Sequence, residues 1–189
     1  MGVNTQAIRA YQNGLVAVSD YGSGTVALPT NGTSALDAGI YKEVGAITSD
    51  GITEATSQDT NDIFMWQGNA LAASLPGDYT KTFQFAAMET TLVTLGLQFP
   101  GSTITQTAEG VTIAEKPPVR DLRTWILHGV DGTKGQRIVI PLGQISERGD
   151  VVWSSQDVTV YQWTVKAFID GSGCIAYRHY VSADLALGD

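Results

Sequence analysis

Residues 158–170 read VTVYQWTVKAFID, with bulky apolar side chains at every second position. Tyr161, Trp163, Val165, Ala167 and Ile169 share one side of an extended backbone, and Gln162, Thr164 and Lys166 share the other. Wound into a helix, the same residues would scatter around the axis, so only a strand with one buried face satisfies the pattern. TKTFQFAAM (80–88) repeats it, with Phe83 and Phe85 opposed to Thr82 and Gln84. In 122–128, Leu122, Thr124, Ile126 and His128 alternate with Arg123, Trp125 and Leu127.

Most other segments follow suit. GLVAVS (14–19) and residues 43–48 read as short strands, and STITQTAEGVTIAEK as a hairpin turning at Glu109-Gly110. RIVIPLGQISER is a strand whose Pro141 marks an edge or a bulge. VTVYQWTVKAFID, the turn Asp170-Gly171-Ser172-Gly173 and CIAYRHYV are expected to form another hairpin. Two segments break the pattern. Residues 89–98 begin with Glu89 and two threonines and are read as the one substantial helix, and 7–12 could form a helical turn. The fold class is therefore mainly β, an antiparallel β-sandwich or barrel with one short flanking α-helix. With 189 residues the chain suits a single domain, carrying an N-terminal extension over about 1–40 and an arm over about 48–68.

That arm is the sequence's anomaly. GITEATSQDTNDIFMWQG (51–68) is polar and acidic for most of its length, then places Ile63, Phe64, Met65 and Trp66 together. It is too polar to form a core alone and too apolar at its end to rest in water.

Chemistry is sparse. His128 and His179 sit on strands, and no nucleophile elbow accompanies them. One cysteine and two distant histidines cannot assemble a zinc site. Asp59, Asn61 and Asp62 hint at calcium, but Ile63 stands where the loop pattern needs a ligand and no glycine follows. GVDGTKGQ and YGSGT lack the spacing of a phosphate cradle. No cofactor is expected. Trp66, Trp125, Trp153 and Trp163 are assigned to strands, where aromatic residues serve cores far more often than sugar platforms. Cys174 is expected to pack as a small hydrophobe. With 11 Lys+Arg against 19 Asp+Glu and a net charge of −8, the chain has the wrong sign for gripping nucleic acid. It has no 18-residue apolar run for a membrane span and no apolar leader, so synthesis in a cytoplasm is expected.

Three stretches in order, VGAITSDGITEATSQDTNDIFMWQGN, FQFAAMETTLVTLGL and WILHGVDGTKGQRIVIPLGQISERGDVVWSSQDVTVYQWTVKAFIDGSG, resemble the major tail tube proteins of long-tailed, non-contractile bacteriophages. The resemblance covers roughly residues 41–182 and rests on the order and spacing of the three. It implies a β-sandwich with one flanking helix that assembles with itself into hexameric rings stacked as a tube. It also implies a virion tail location, synthesis in the host bacterial cytoplasm, passage of DNA without specific binding, and tape-measure and tail-tip or terminator proteins as partners. On this reading the arm reaches an adjacent ring, and Glu54, Asp59, Asp62, Ile63, Phe64 and Trp66 are its contact residues. Three alternatives stand beside it: a tail-completion or connector ring protein, a carbohydrate-binding β-sandwich module, and an enzyme with a carboxylate site spread over strands.

Overall fold

Every alternating segment becomes a strand, but the partners are not always the ones that sequence order suggests. The computed structural model describes residues 7–19, 26–182 and 185. In chain order the elements are β1 (Asn13–Ser19), β2 (Tyr41–Glu43), β3 (Thr53–Phe64), β4 (Leu71–Ala87), α1 (Leu92–Gln98), β5 (Thr103–Thr107), β6 (Gly110–Ala114), β7 (Arg123–Asp131), β8 (Lys134–Arg148), β9 (Tyr161–Phe168) and β10 (Tyr177–Val181). The main sheet runs β2-β1-β7-β8-β9-β4-β3, with β10 also on β8, and β5-β6 form a separate ribbon. All pairings are antiparallel. Among the described residues the fold is mainly β with one α-helix, as expected. The N-terminal region contributes β1 to the interior of the sheet, between β2 and β7. Residues 8–12 form no helical turn, and the glycine-rich 20–25 lie outside the described residues.

One short run closes the sheet on itself. The Val44 N–H donates to Val16 O (2.9 Å), continuing the β2–β1 pairing. Farther along the run, Thr48 N–H donates to Ala86 O (3.0 Å) and Met88 N–H to Ala46 O (2.9 Å), with Ile47 bridged to Ala87. Residues 41–48 thus reach from β1 at their start to β4 at their finish, past Gln84 where the β3 pairing of β4 stops. The pivot is Gly45, at φ +95°, where the Glu89 carboxylate accepts from the Ala46 N–H at 2.7 Å. The 43–48 strand read from the sequence is this closing run, with regular pairing only over Tyr41–Glu43.

The inward alternation builds the core: Val16 and Val18, Phe83 and Phe85, Trp125 and Leu127, Ile138 and Ile140, Trp163 and Val165 are all buried together. Phe85 meets the rings of Trp125 and Trp163 edge-on, with centroids 5.9 and 6.0 Å away. The outward side of β1, β7 and β8 is buried too, with Ala17, Ile126 and Val139 beneath Val26, Leu28, Leu36 and Ile40. Central strands covered on both faces read as near-continuous apolar runs, which explains why Trp125, Ile126 and Leu127 follow one another. α1 is shorter than the expected 89–98. Thr91 caps it, trading hydrogen bonds with Thr94, whose side chain is fully buried. Trp163 Nε1 donates to Gln98 Oε1 (2.7 Å) and pins the helix to the barrel. Pro141 does lie in a bulge: Pro141 and Leu142 together oppose Thr124, whose Oγ1 donates to Pro141 O.

The expected β9–β10 hairpin does not form. Leu142 pairs with Phe168 and Val139 with Tyr177, so β9 and β10 run in one direction along one edge of β8. They are a single strand line interrupted by residues 169–176, which bulge outward. Asp170 holds the excursion closed: Oδ1 accepts from the Ser172 N–H (2.8 Å) and Cys174 N–H (2.9 Å), and Oδ2 from the Tyr177 hydroxyl (2.8 Å). Asx turns of this kind imitate a hairpin in sequence. Ile169 accordingly leaves the buried face and is exposed, and Cys174 sits half-buried in the excursion rather than in a core cluster.

This clasp titrates at both ends of the pH scale. The Cys174 amide, then the Tyr177 hydroxyl, hold the Asp170 carboxyl below its ordinary value. The Asp170 bond in turn raises the Tyr177 hydroxyl to about 12. The grip is fully present above the ordinary carboxylate range and is lost as pH falls through the depressed Asp170 value. At the alkaline end it is full below the ordinary tyrosine value of about 10 and lost as pH rises through about 12. Asp170→Asn is expected to return Tyr177 toward ordinary tyrosine behaviour. Phenolate absorbance during alkaline titration would show one tyrosine ionising earlier, and an unchanged curve would rule the clasp out.

Candidate functional site

β4 is paired with β9 only over Lys81–Ala87, whereas β3 follows it out to Leu71. Beyond Thr80 the β3–β4 hairpin has no other neighbour in the sheet among the described residues. Residues 57–64, at about 3.3 Å per residue, carry it roughly 26 Å away from the barrel. All twelve residues of β3 and the first nine of β4 are exposed. The segment read from the sequence as a polar arm over 48–68 is therefore one leg of a projecting β-hairpin. Its second leg starts at Leu71, nine residues before the strand expected from Thr80.

Register sorts the arm's faces. Thr60 opposes Pro76 and Asp62 opposes Ser74, giving a polar side on which Ser74 Oγ donates to Asp62. Asn61 opposes Leu75 and Ile63 opposes Ala73, giving a side that turns apolar toward the tip. Bulges interrupt the ladder next to Asp59 and again between Ile63 and Phe64. At the first, a Cβ on Gly77 would lie 3.0 Å from Asp59 O, so any larger residue would push the facing strand back. Bulges, Pro76 and the carboxylates of Asp59, Asp62 and Asp78 are the devices that stop a free strand edge from pairing with any strand it meets. The tip closes with Met65 N–H donating to Ala70 O (2.8 Å), with Gly68 (φ +74°) and Asn69 (φ +51°) in left-handed conformation. There Trp66 is 97% exposed, flanked by exposed Ile63, Phe64, Met65 and Leu71. Trp66 and Trp153 thus lie off the strands in solvent, contrary to the strand assignment, while Trp125 and Trp163 occupy the core.

The root of the arm is charged. Glu54 on β3 pairs with both Lys81 on β4 and Arg178 on β10. Lys81 Nζ also donates to Thr56 Oγ1 (2.7 Å) and lies 5.8 Å above the Phe83 ring. Burial alone would raise the Glu54 carboxyl, but the bonds from Arg178 and Lys81 outweigh it and hold it below the ordinary glutamate value. Glu54 is thus already committed within its own chain, at the arm's base. Asp59 lies midway, and Asp62, Ile63, Phe64 and Trp66 cluster at the tip. Leu71, Leu75, Tyr79, Lys81 and Arg178 complete the arm and its root, and the sequence reading did not include them. Glu54→Gln is expected to cost about 1 kcal/mol of global stability, the upper end for surface ion pairs, because Lys81 keeps only 12% of its side chain exposed. It should also speed amide exchange at the root of the arm, and the difference from wild type should vanish in high salt. Equal exchange at low salt would remove the ion pairs from any role in setting the arm.

The histidines stand in another row. His128, Arg137 and His179 are direct cross-strand neighbours on β7, β8 and β10. Arg137, only 4% exposed, donates through Nη1 to Asn31 O (3.0 Å) and Ser34 O (2.9 Å), latching residues 31–34 over the sheet. Burial, then the Arg137 charge, push His128 down toward its neutral form. The Ser34 hydroxyl also accepts from Arg137 Nη1 at 3.5 Å, and the row reads as a structural latch. Among the described residues no group of His, Cys, Asp or Glu could hold a metal ion, and no helix is long and apolar enough to cross a membrane.

A scan against protein families matches residues 1–184 to a family described as phage tail tube protein. No curated protein matches the chain.

Proposed function

We propose that this chain, which belongs to the phage tail tube protein family, closes with copies of itself into hexameric rings whose stacking builds the tail tube. The arm bridges each ring to the next. The observation that supports this reading is the unsupported hairpin ending in a tryptophan that is 97% exposed. Such a group buries its apolar surface only when another molecule covers it. Glu54 sets the root of the arm, and Asp59, Asp62, Ile63, Phe64 and Trp66 meet the neighbouring copy. The tube conducts the genome into the host, and the net charge of −8 per chain suits a conduit that DNA slides through. The role needs no catalysis. Its further partners are tape-measure and tail-tip or terminator proteins, and its synthesis takes place in the host cytoplasm. Negative-stain electron microscopy of the concentrated protein, beside light scattering of a dilute fraction, tests the proposal. Hollow striated tubes support it; isolated rings that never stack point instead to a connector, and a monomer at every concentration overturns it.

A further inference from the structure

We infer that the arm tip of one copy seats at the far pole of the next, where residues 117–121 and the loop 149–160 leave the barrel; this rests on the arm's proposed role as the bridge between rings. The poles follow from register. β4 runs from the tip at Leu71 toward Ala87, and Ala87 pairs with Tyr161 while Arg148 pairs with Trp163. The loop between Arg148 and Tyr161 therefore leaves the barrel at the end facing away from the arm. That end carries the other exposed tryptophan: Trp153 is 89% exposed, with Val152 and Val158 each 63% exposed beside it in the loop. At the same pole a hollow of about 420 Å³ opens between Pro118, Val119, Arg120, Asp121, Gln144 and Arg148.

Charge points the same way. The hollow's walls hold Arg120 and Arg148 against the single carboxylate of Asp121, which Arg123 already neutralises. Among the described residues no hydrogen bond or ion pair engages the exposed Arg120. The arm brings Asp59, Asp62 and Asp78, none of them paired with a cation among the described residues. Polarity decides between this hollow and the larger one, of about 460 Å³, beside Tyr11, Ile52, Phe83 and Leu127. The larger hollow includes Glu54 and so lies at the arm's own root, at the pole the arm points away from. Docking there would pair two copies head to head and close a dimer. Docking at the far pole is head-to-tail, a heterologous contact that grows a filament where its rotation does not close into a ring.

The test mixes single-cysteine variants built on Cys174→Ser. Gln67→Cys at the tip is expected to form an intermolecular disulfide with Ser154→Cys in the far loop, and not with Gln12→Cys at the root hollow. Trp153→Ala and Arg120→Glu, both exposed and both checked for unchanged melting, should each raise the concentration needed for tube growth about tenfold or more, as interface anchors do. A disulfide to Gln12→Cys, or no disulfide to Ser154→Cys in assembled material, overturns the location. Normal assembly of Trp66→Ala overturns the arm reading itself. Assembly lost in Trp66→Ala but intact in Trp153→Ala and Arg120→Glu keeps the arm and rejects this pole. Wild-type protein that forms no tubes ends both.

Discussion

Trp66→Ala is expected to leave the monomer's melting curve unchanged and to abolish tube formation at concentrations where the wild type assembles fully. The two halves of that result have separate causes. Because Trp66 is 97% exposed, its truncation removes almost nothing from the fold, and exposed substitutions of this kind stay within about 0.5 kcal/mol. At an interface the same side chain is an anchor, and buried tryptophans there commonly cost about 2 kcal/mol or more when cut to alanine. A stacked polymer multiplies that loss. If each junction of the proposed hexamer is bridged by six arms, a loss of about 2 kcal/mol per arm sums to roughly 12 kcal/mol, enough to move assembly out of reach. Trp66→Phe, which keeps an aromatic plane, should retain part of the assembly. Light scattering against concentration, with circular dichroism melting on the same samples, reads both halves. Tubes of normal abundance from Trp66→Ala would mean that the tip meets nothing, and a lowered melting temperature would mean that it packs on its own barrel.

How much of this was legible depends on whether the information is local. The inward faces of β4 and β9 were written in alternation: Phe83, Phe85, Tyr161, Trp163, Val165 and Ala167 are all buried as their spacing requires. The helix was legible from Glu89 and the threonines, though Thr91 caps it later than its first polar residues suggest. What failed was partner choice. Asp170-Gly171-Ser172-Gly173 has every residue a hairpin turn wants, yet β9 and β10 continue along β8 because that long strand offers one edge to both. The outer half of β4 was hidden because Leu75-Pro76-Gly77-Asp78 reads as a turn. In the structure Pro76 needs no ladder bond on a free edge, and Gly77 serves a bulge. At the candidate site, the anomaly of a polar run ending in Ile63, Phe64 and Trp66 was visible from composition alone. The commitment of Glu54 to Arg178 was not, because 124 residues separate the two in sequence. Nothing local to either residue announces the other.

Gly45→Ala is expected to destabilise the protein by about 2.5–5 kcal/mol, an effect that arises where the sheet closes. Two costs combine. At φ +95° an L side chain pays about 1–2 kcal/mol for left-handed backbone. The added Cβ would also lie 2.6 Å from the Glu89 carboxylate, whose displacement is expected to break its bond to the Ala46 N–H. A charge-assisted bond of that kind is worth about 1.5–3 kcal/mol. Because the second cost runs through Glu89, it should disappear when Glu89 is already alanine. In a Glu89→Ala background, Gly45→Ala should cost only about 1–2 kcal/mol, and urea unfolding of the four proteins in the cycle measures the difference. Additive losses would place Glu89 outside the closure, and a Gly45→Ala loss under about 0.5 kcal/mol would show that the pivot tolerates a side chain. The consequence for assembly differs in kind from that of Trp66. Opening residues 41–48 frees the edges of β1 and β4 together, and bare edges pair with whatever strand they meet. The failed product of Gly45→Ala is therefore amorphous aggregate from a loosened barrel, whereas the failed product of Trp66→Ala is an intact protein that does not stack.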